Sequence, residues 1–278
     1  MNPILRNTYM VLLAIFMGGC RLANGNDHAS YPNIHLEEVA LLTESSSSPF
    51  LDFSIDYAHL DEDGDSIALR INQVIQRELL GEDFATLTPQ VAVDSFKNTH
   101  IHEYRAEMGK LYQADIAKNG TDTPVPAWYN QTYSLTTFVE EGCEGRVLNV
   151  SANWFVDMGG AHPNQWSRWM NFDFVSGKPL RKQDVFKAEA KQDIENLLLD
   201  KLIRQQAEQH PEENVTSLED LKKQGFLQMT DIYIPDNFLL TKKGVLFLFN
   251  RYDIAPYSAG ETVLEVPYEE IGQYLKLT

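Results

Sequence analysis

The densest group of residues able to do chemistry is Gly159-Gly160-Ala161-His162-Pro163, which follows a strand-like run and precedes a segment holding Trp166 and Trp169. Paired glycines admit positive backbone angles and close approach by another group. An imidazole can donate or accept a proton or bind a metal. One reading is a binding or catalytic loop. The other is a tight sheet corner that His162 ties down, and the surrounding residues favour it because no nucleophile with an activating partner lies nearby. Asp157 and Asp173 flank the loop and could form a carboxylate pair for glycan hydrolysis if the fold brought them together. Cys143 sits in a turn-forming stretch without a visible activator, and no Gly-x-Ser-x-Gly elbow occurs. Trp154 lies inside an alternating run and reads as core, whereas Trp166 and Trp169, in a polar stretch, are candidates for a contact surface.

Metal chemistry finds little support. Of seven histidines only His100 and His102 are closely spaced, and on a helix two positions apart means about 200° of rotation, which points them away from each other. Asp61-Glu62-Asp63-Gly64-Asp65 has the look of a calcium loop. Counted from Asp61, however, the required glycine is Ser66 and the bidentate glutamate is Asn72. An acidic turn at a helix N-terminus explains the run more simply. Neither a cofactor nor a metal is expected.

The elements that must position these residues are legible from hydrophobic period. Leu51-Asp52-Phe53-Ser54-Ile55-Asp56-Tyr57 alternates as a half-buried strand, and Ile67, Ile71, Val74, Ile75 and Leu79 recur at helical spacing. A second helix is predicted over 89–118. Strands follow at 129–139 and 146–157, joined by Glu141-Gly142-Cys143-Glu144-Gly145 as a hairpin, with another at Phe172-Asp173-Phe174-Val175. Ile194, Leu197, Leu198 and Leu202 mark a helix that stops before Pro211. Residues 238–240 and 245–249 flank Lys242-Lys243-Gly244 as a second hairpin, and 261–266 form a last strand. Strands clustered around long helices predict an α+β fold with a mainly antiparallel sheet, in two lobes. The expected divisions are a signal peptide at 1–19, a flexible tether at 20–49, an N-terminal lobe at 50–127 and a C-terminal lobe at 128–278.

Residues 9–17 form an apolar stretch too short to span a bilayer but suited to an export signal. Met17-Gly18-Gly19-Cys20 resembles the bacterial lipobox, which predicts acylation of Cys20 and a lipid-anchored chain on the outer side of a bacterial membrane, periplasmic or at the cell surface. With Cys20 lipidated, Cys143 is left without an intramolecular disulfide partner. The polar segment ending in Ser45-Ser46-Ser47-Ser48-Pro49 then reads as the tether. Forty acidic against 23 basic side chains give a net charge of -17, which argues against a nucleic-acid partner because phosphate binding needs a basic footprint.

Taken together, Gly159-Gly160-Ala161-His162, then Asn171-Phe172-Asp173 with Ser176-Gly177-Lys178 and Asp184-Val185-Phe186, then Tyr252-Asp253-Ile254-Ala255-Pro256-Tyr257-Ser258-Ala259-Gly260, resemble the RsiV-type extracytoplasmic domain. That family supplies the outer part of a lysozyme-sensing anti-sigma factor and the accessory region of some peptidoglycan deacetylases. The resemblance covers about 49–278 and is densest over 147–274. It implies an α+β fold and a non-catalytic binding role, with Gly159, Gly160, His162, Asp173, Tyr252, Pro256, Tyr257 and Gly260 at the motif positions. Most of these read as structural: Pro256 stiffens its loop, Gly260 suits a turn, and Tyr252 and Tyr257 can bury their rings while their hydroxyls satisfy nearby backbone. Neither a sigma-binding segment nor a deacetylase domain is seen, so the expectation is a binding module.

The leading expectation is a lipid-anchored module that recognises a protein, a basic one such as lysozyme being favoured by the acidic surface. Its candidate surface is Trp166, Trp169, His162 and Tyr257. A peptidoglycan- or glycan-binding accessory protein is the alternative, and an envelope hydrolase using His162 with Asp157 or Asp173 comes third.

Overall fold

A computed structural model describes residues 31–120 and 124–276. The predicted signal, Cys20 and the first part of the predicted tether lie outside the described residues. Among the described residues no helix is long and apolar enough to cross a membrane.

The first lobe is built on five strands: β1 (Asn33–Leu41), β2 (Phe50–Ala58), β3 (Gln131–Glu141), β4 (Val147–Asp157) and β5 (Asn164–Asp173), side by side in that order. Every pairing is antiparallel except β2 with β3, which run parallel. A parallel join needs a crossover. It is supplied by α1 (Ser66–Leu79) and α2 (Pro89–Asn119). The α1 helix starts where the Asp65 carboxylate accepts from the Ile67 N–H at 2.7 Å, the cap that the acidic run predicted. Its Ile71 and Ile75 meet Phe53 and Ile55 of β2 and Leu148, Val150 and Ala152 of β4 in one fully buried core. Alternation along β2 and β4 is what turns these residues to the same side.

The second lobe holds α3 (Lys182–Val185), α4 (Lys191–Gln209), α5 (Leu218–Lys223), β6 (Phe238–Leu240), β7 (Gly244–Phe249), β8 (Thr262–Pro267) and α6 (Tyr268–Ile271). Its three strands form an antiparallel meander. Ile194, Leu198 and Leu202 of α4 pack on Val245, Phe247, Leu264 and Val266. The α+β class and the mainly antiparallel sheets agree with the sequence reading.

Three expectations are corrected. The predicted tether contains β1, which pairs with β2 along its whole length from Asn33 opposite Ala58 to Leu41 opposite Phe50. Its alternation is masked by Glu37 and Glu38, which sit at the sheet's outer edge, and the serine run is a closed turn in which Leu42 N–H donates to the Pro49 carbonyl at 2.8 Å. The lobes divide not at 127/128 but after β5, because β3, β4 and β5 complete the first sheet. The strand expected at 172–175 is the end of a longer strand that begins at Asn164, so Trp166 and Trp169 stand on β5 and not in a loop. Its alternation was hidden because the polar residues Ser167 and Asn171 face the second lobe and are buried.

An asparagine seam joins the lobes. Asn171 donates to the Phe238 carbonyl at 2.8 Å and accepts from the Leu240 N–H at 2.8 Å, while Asn149 donates to the Leu240 carbonyl at 3.2 Å. Asn237 accepts from the Trp169 N–H and Asn250 from the Ser167 N–H, at 3.1 and 2.7 Å. Side-chain amides here do for the β5 edge what another strand would do, leaving that edge covered.

Candidate functional site

The two most distinctive motifs, far apart in sequence, meet in space. The β4–β5 corner carries Gly159 and His162, and the β7–β8 loop carries Arg251, Tyr252 and Tyr257. The His162 ring stacks on Tyr257 with centroids 3.8 Å apart and planes 22° from parallel. Its Nε2 lies 3.2 Å from the Tyr252 hydroxyl and its Nδ1 3.2 Å from the Pro163 carbonyl oxygen. The Tyr257 hydroxyl donates to the same carbonyl at 2.8 Å, and the Arg251 guanidinium covers the Tyr257 ring at 4.6 Å from its centroid. Arg251 also donates to the Tyr257 carbonyl at 3.0 Å and to Gln165 Oε1 at 2.6 Å, tying the loop to β5. An aromatic–imidazole–guanidinium stack of this kind is rigid and amphipathic.

Backbone geometry fixes the stack. Gly159 has φ +73°, and a Cβ there would come within 2.2 Å of the Trp128 Cα, so the corner needs a glycine on both counts. Gly160 meets only the His162 carbonyl, 4.0 Å from where a Cβ would stand; nothing in the structure requires glycine at that position. Tyr252 has φ +70°, uncommon for a residue with a Cβ, and its side chain is 65% exposed. The expectation that both tyrosines bury their rings fails for Tyr252, whose ring is turned outward; Tyr257 is half-buried, with its hydroxyl on the Pro163 carbonyl. Pro256 packs near Gly225, and Gly260, at φ +76°, makes the turn into β8.

The two aspartates do not form a pair. In the β4 ladder Asp173 lies opposite Val147, at the far end of the strand from Asp157. Ten residues of strand is about 33 Å. Each acid is occupied locally: Asp157 accepts from the Gly159 N–H at 2.8 Å, and Asp173 accepts from both the N–H and the hydroxyl of Ser176 at 2.6 Å. Those Ser176 bonds hold the Asp173 carboxyl below its ordinary pKa. The carboxylate pair of Asp157 and Asp173 is therefore ruled out by the sheet register.

Trp166 and Trp169 do not share a surface. Three positions apart on one strand, they face opposite sides of the sheet. Trp166 stacks on Trp154 at 5.3 Å and is 38% exposed, while Trp169 is half-buried on the side of the second lobe. Only His162 and Tyr257 of the four expected surface residues touch each other.

Beside the stack, the other side of the Tyr252–Gly260 loop borders a cleft of about 850 Å³ that sequence reasoning missed. Gln205, Gln206 and Gln209 of α4 line it with Glu213, Glu261 and Glu265, and its one lysine, Lys223, is already paired with Asp220 at 2.8 Å. Nothing in the spacing of these glutamines announces a cleft. His210 stands at the same cleft, and its ring nitrogen and the carboxylates of Glu212 and Glu213 lie within 4.8 Å of one another; all three are exposed. His100 is occupied elsewhere, packed between Phe96 and Tyr133 with Nδ1 3.1 Å from the Phe96 carbonyl.

The scaffold is thus a two-lobed α+β fold that carries a stacked corner and an acidic cleft. Residues 183–269, nearly all of the second lobe, match the DUF3298 model, described as a protein of unknown function. The whole chain is similar to the crystal structure of a DUF3298 family member from Bacteroides fragilis, at 25% identity and a TM-score of 0.77, over 88% of this chain and 93% of that one. A DUF3298 family protein from Pseudomonas aeruginosa shares the fold at 16% identity and a TM-score of 0.58, over 89% of this chain and 95% of that one. No curated protein matches. The motif residues Gly159, Gly160, His162 and Asp173 precede the matched segment, whereas Tyr252, Pro256, Tyr257 and Gly260 lie within it.

Proposed function

We propose that this chain is a non-catalytic RsiV-type binding module, lipid-anchored through Cys20 on the extracytoplasmic side of a bacterial envelope, that recognises a cationic protein. The observation that carries the reading is the acidic, amide-lined cleft bordered by the same loop that presents Tyr252 and Tyr257. A lysine or arginine from a partner entering the cleft meets three carboxylates with no free cation to compete, while the exposed Tyr252 ring, on the other side of the same loop, offers the partner an aromatic contact outside the cleft. A net charge of -17 accelerates encounter with a positively charged protein. The non-catalytic part rests on His162, whose ring nitrogens are both engaged, and on acids occupied in turns.

The test is titration of the full chain with lysozyme as the cationic probe, at low and high salt. Binding at low salt, weakened by salt and by roughly tenfold or more in a Tyr252→Ala, Glu265→Gln variant, is the expected outcome. No binding at low salt, or affinity unchanged in the double variant, overturns it.

A further inference from the structure

A second cleft, sharing no lining residue with the acidic one, lies along the β5 edge. It encloses about 390 Å³ between α1, β5 and the segment 179–183, within the roughly 300–1,000 Å³ that small-molecule sites occupy. Its charges run against the rest of the molecule. Arg168, Arg181 and Lys182 line it together with only two acids, Glu78 and Asp236. Arg168 is paired with Glu78 at 3.2 Å and Lys182 with Asp236 at 3.1 Å. Among the described residues Arg181 has no acidic side-chain partner, so the cleft holds one cation in excess on a chain whose net charge is -17. Trp169, also on the wall, has no aromatic neighbour among the described residues, and its indole N–H makes no hydrogen bond there.

We propose that this cleft binds an acidic sugar, a pyranose bearing one carboxylate. The excess charge is that of one guanidinium, which matches a monoanion, and the planar fork of Arg181 takes a carboxylate in two hydrogen bonds. The two ion-paired acids select what accompanies that carboxylate. Glu78 and Asp236 are acceptors, so they favour a ligand rich in hydroxyl donors and repel a doubly charged phosphate. An unpartnered indole beside polar groups suits the apolar face of a sugar ring, with its N–H free for a ring substituent. Uronic acids and lactyl-ether amino sugars both present this combination.

Binding of the full chain is followed by tryptophan fluorescence and by ligand-observed NMR, with glucuronic acid against glucose and N-acetylmuramic acid against N-acetylglucosamine. Each pair differs in its carboxylate-bearing group, and comparing the pairs tells a uronate source from a lactyl ether. Each acid that binds exceeds its neutral partner by roughly tenfold or more, and Arg181→Ala removes that margin. Trp169→Phe, which keeps a ring at the half-buried position, weakens the acid without changing the thermal midpoint. Equal binding of acid and neutral sugar, no binding of either acid, an unaffected Arg181→Ala variant, or acetate competing as well as the sugars each overturns the proposal. Lysozyme affinity, read on the same Arg181→Ala protein, stays unchanged, which separates failure here from failure of the acidic cleft.

Discussion

At the scale of single residues, a side chain's job is set by what it touches, and Asp173 is the clearest case. Although it stands at a motif position, its carboxylate is consumed by Ser176, whose two bonds hold it below its ordinary pKa. A depressed folded pKa means the contribution to stability is present above the unfolded value, about 3.9, and disappears as pH falls through the lower folded value. Asp173→Asn therefore lowers the thermal midpoint at neutral pH, and the gap from the parent narrows as the pH falls below the unfolded value and closes once the folded carboxyl is protonated; a gap that persists in acid would assign the loss to packing instead. Gly159 could be read correctly from sequence because a glycine beside a histidine after a strand signals a special backbone angle. Tyr252 could not. Nothing local shows that a tyrosine will adopt φ +70° or that its hydroxyl will meet a histidine 90 positions away. Arg251 was missed for the same reason.

Elements were legible where one face met one core. The α1 helix and the β3–β4 hairpin fall close to their expected bounds because their apolar residues recur with a single period; α2 also does, opening at Pro89 and ending before Gly120. The β1 and β5 strands escaped because one lies at an outer edge with glutamates on its open side, and the other turns buried polar residues toward the second lobe. Those buried amides make the seam testable. Asn171, 2% exposed, serves one carbonyl and one N–H of β6. Asn171→Ala strands both in a dry interface, at about 1–3 kcal/mol each, so urea denaturation should register a loss of about 2–4 kcal/mol. Asn171→Asp restores the acceptor but turns a charge toward the Phe238 carbonyl, and it should rescue little. A loss under about 0.5 kcal/mol in the alanine variant would mean that solvent enters the seam.

For the whole molecule, the lesson concerns where units begin. Composition alone starts the folded body at Phe50, yet β1 covers β2 from Asn33 onward and buries Ile34 and Ala40. A chain beginning at Phe50 has an uncovered β2 edge carrying Leu51, Phe53 and Ile55. Such a chain should elute by size exclusion as dimers and larger species, whereas a chain beginning at Tyr31 stays monomeric; a monomeric shorter chain would show that the edge strand is dispensable. The two clefts were invisible to sequence because each is assembled from segments scattered along the chain, and periodicity carries no information about which solvated faces will lie across from one another.

The parallel join of β2 to β3, with Leu51 alongside Gln131 across two intervening helices, also bears on how the polypeptide is made. As the chain leaves the ribosome, β2 emerges long before the strand that must lie beside it, and the helices appear before the sheet they cover is complete. The first hairpin can form early, but its inner edge stays open until synthesis has passed residue 141. Vectorial folding thus has a built-in waiting period, in which a holding factor or continued extension must keep that edge from finding another nascent copy.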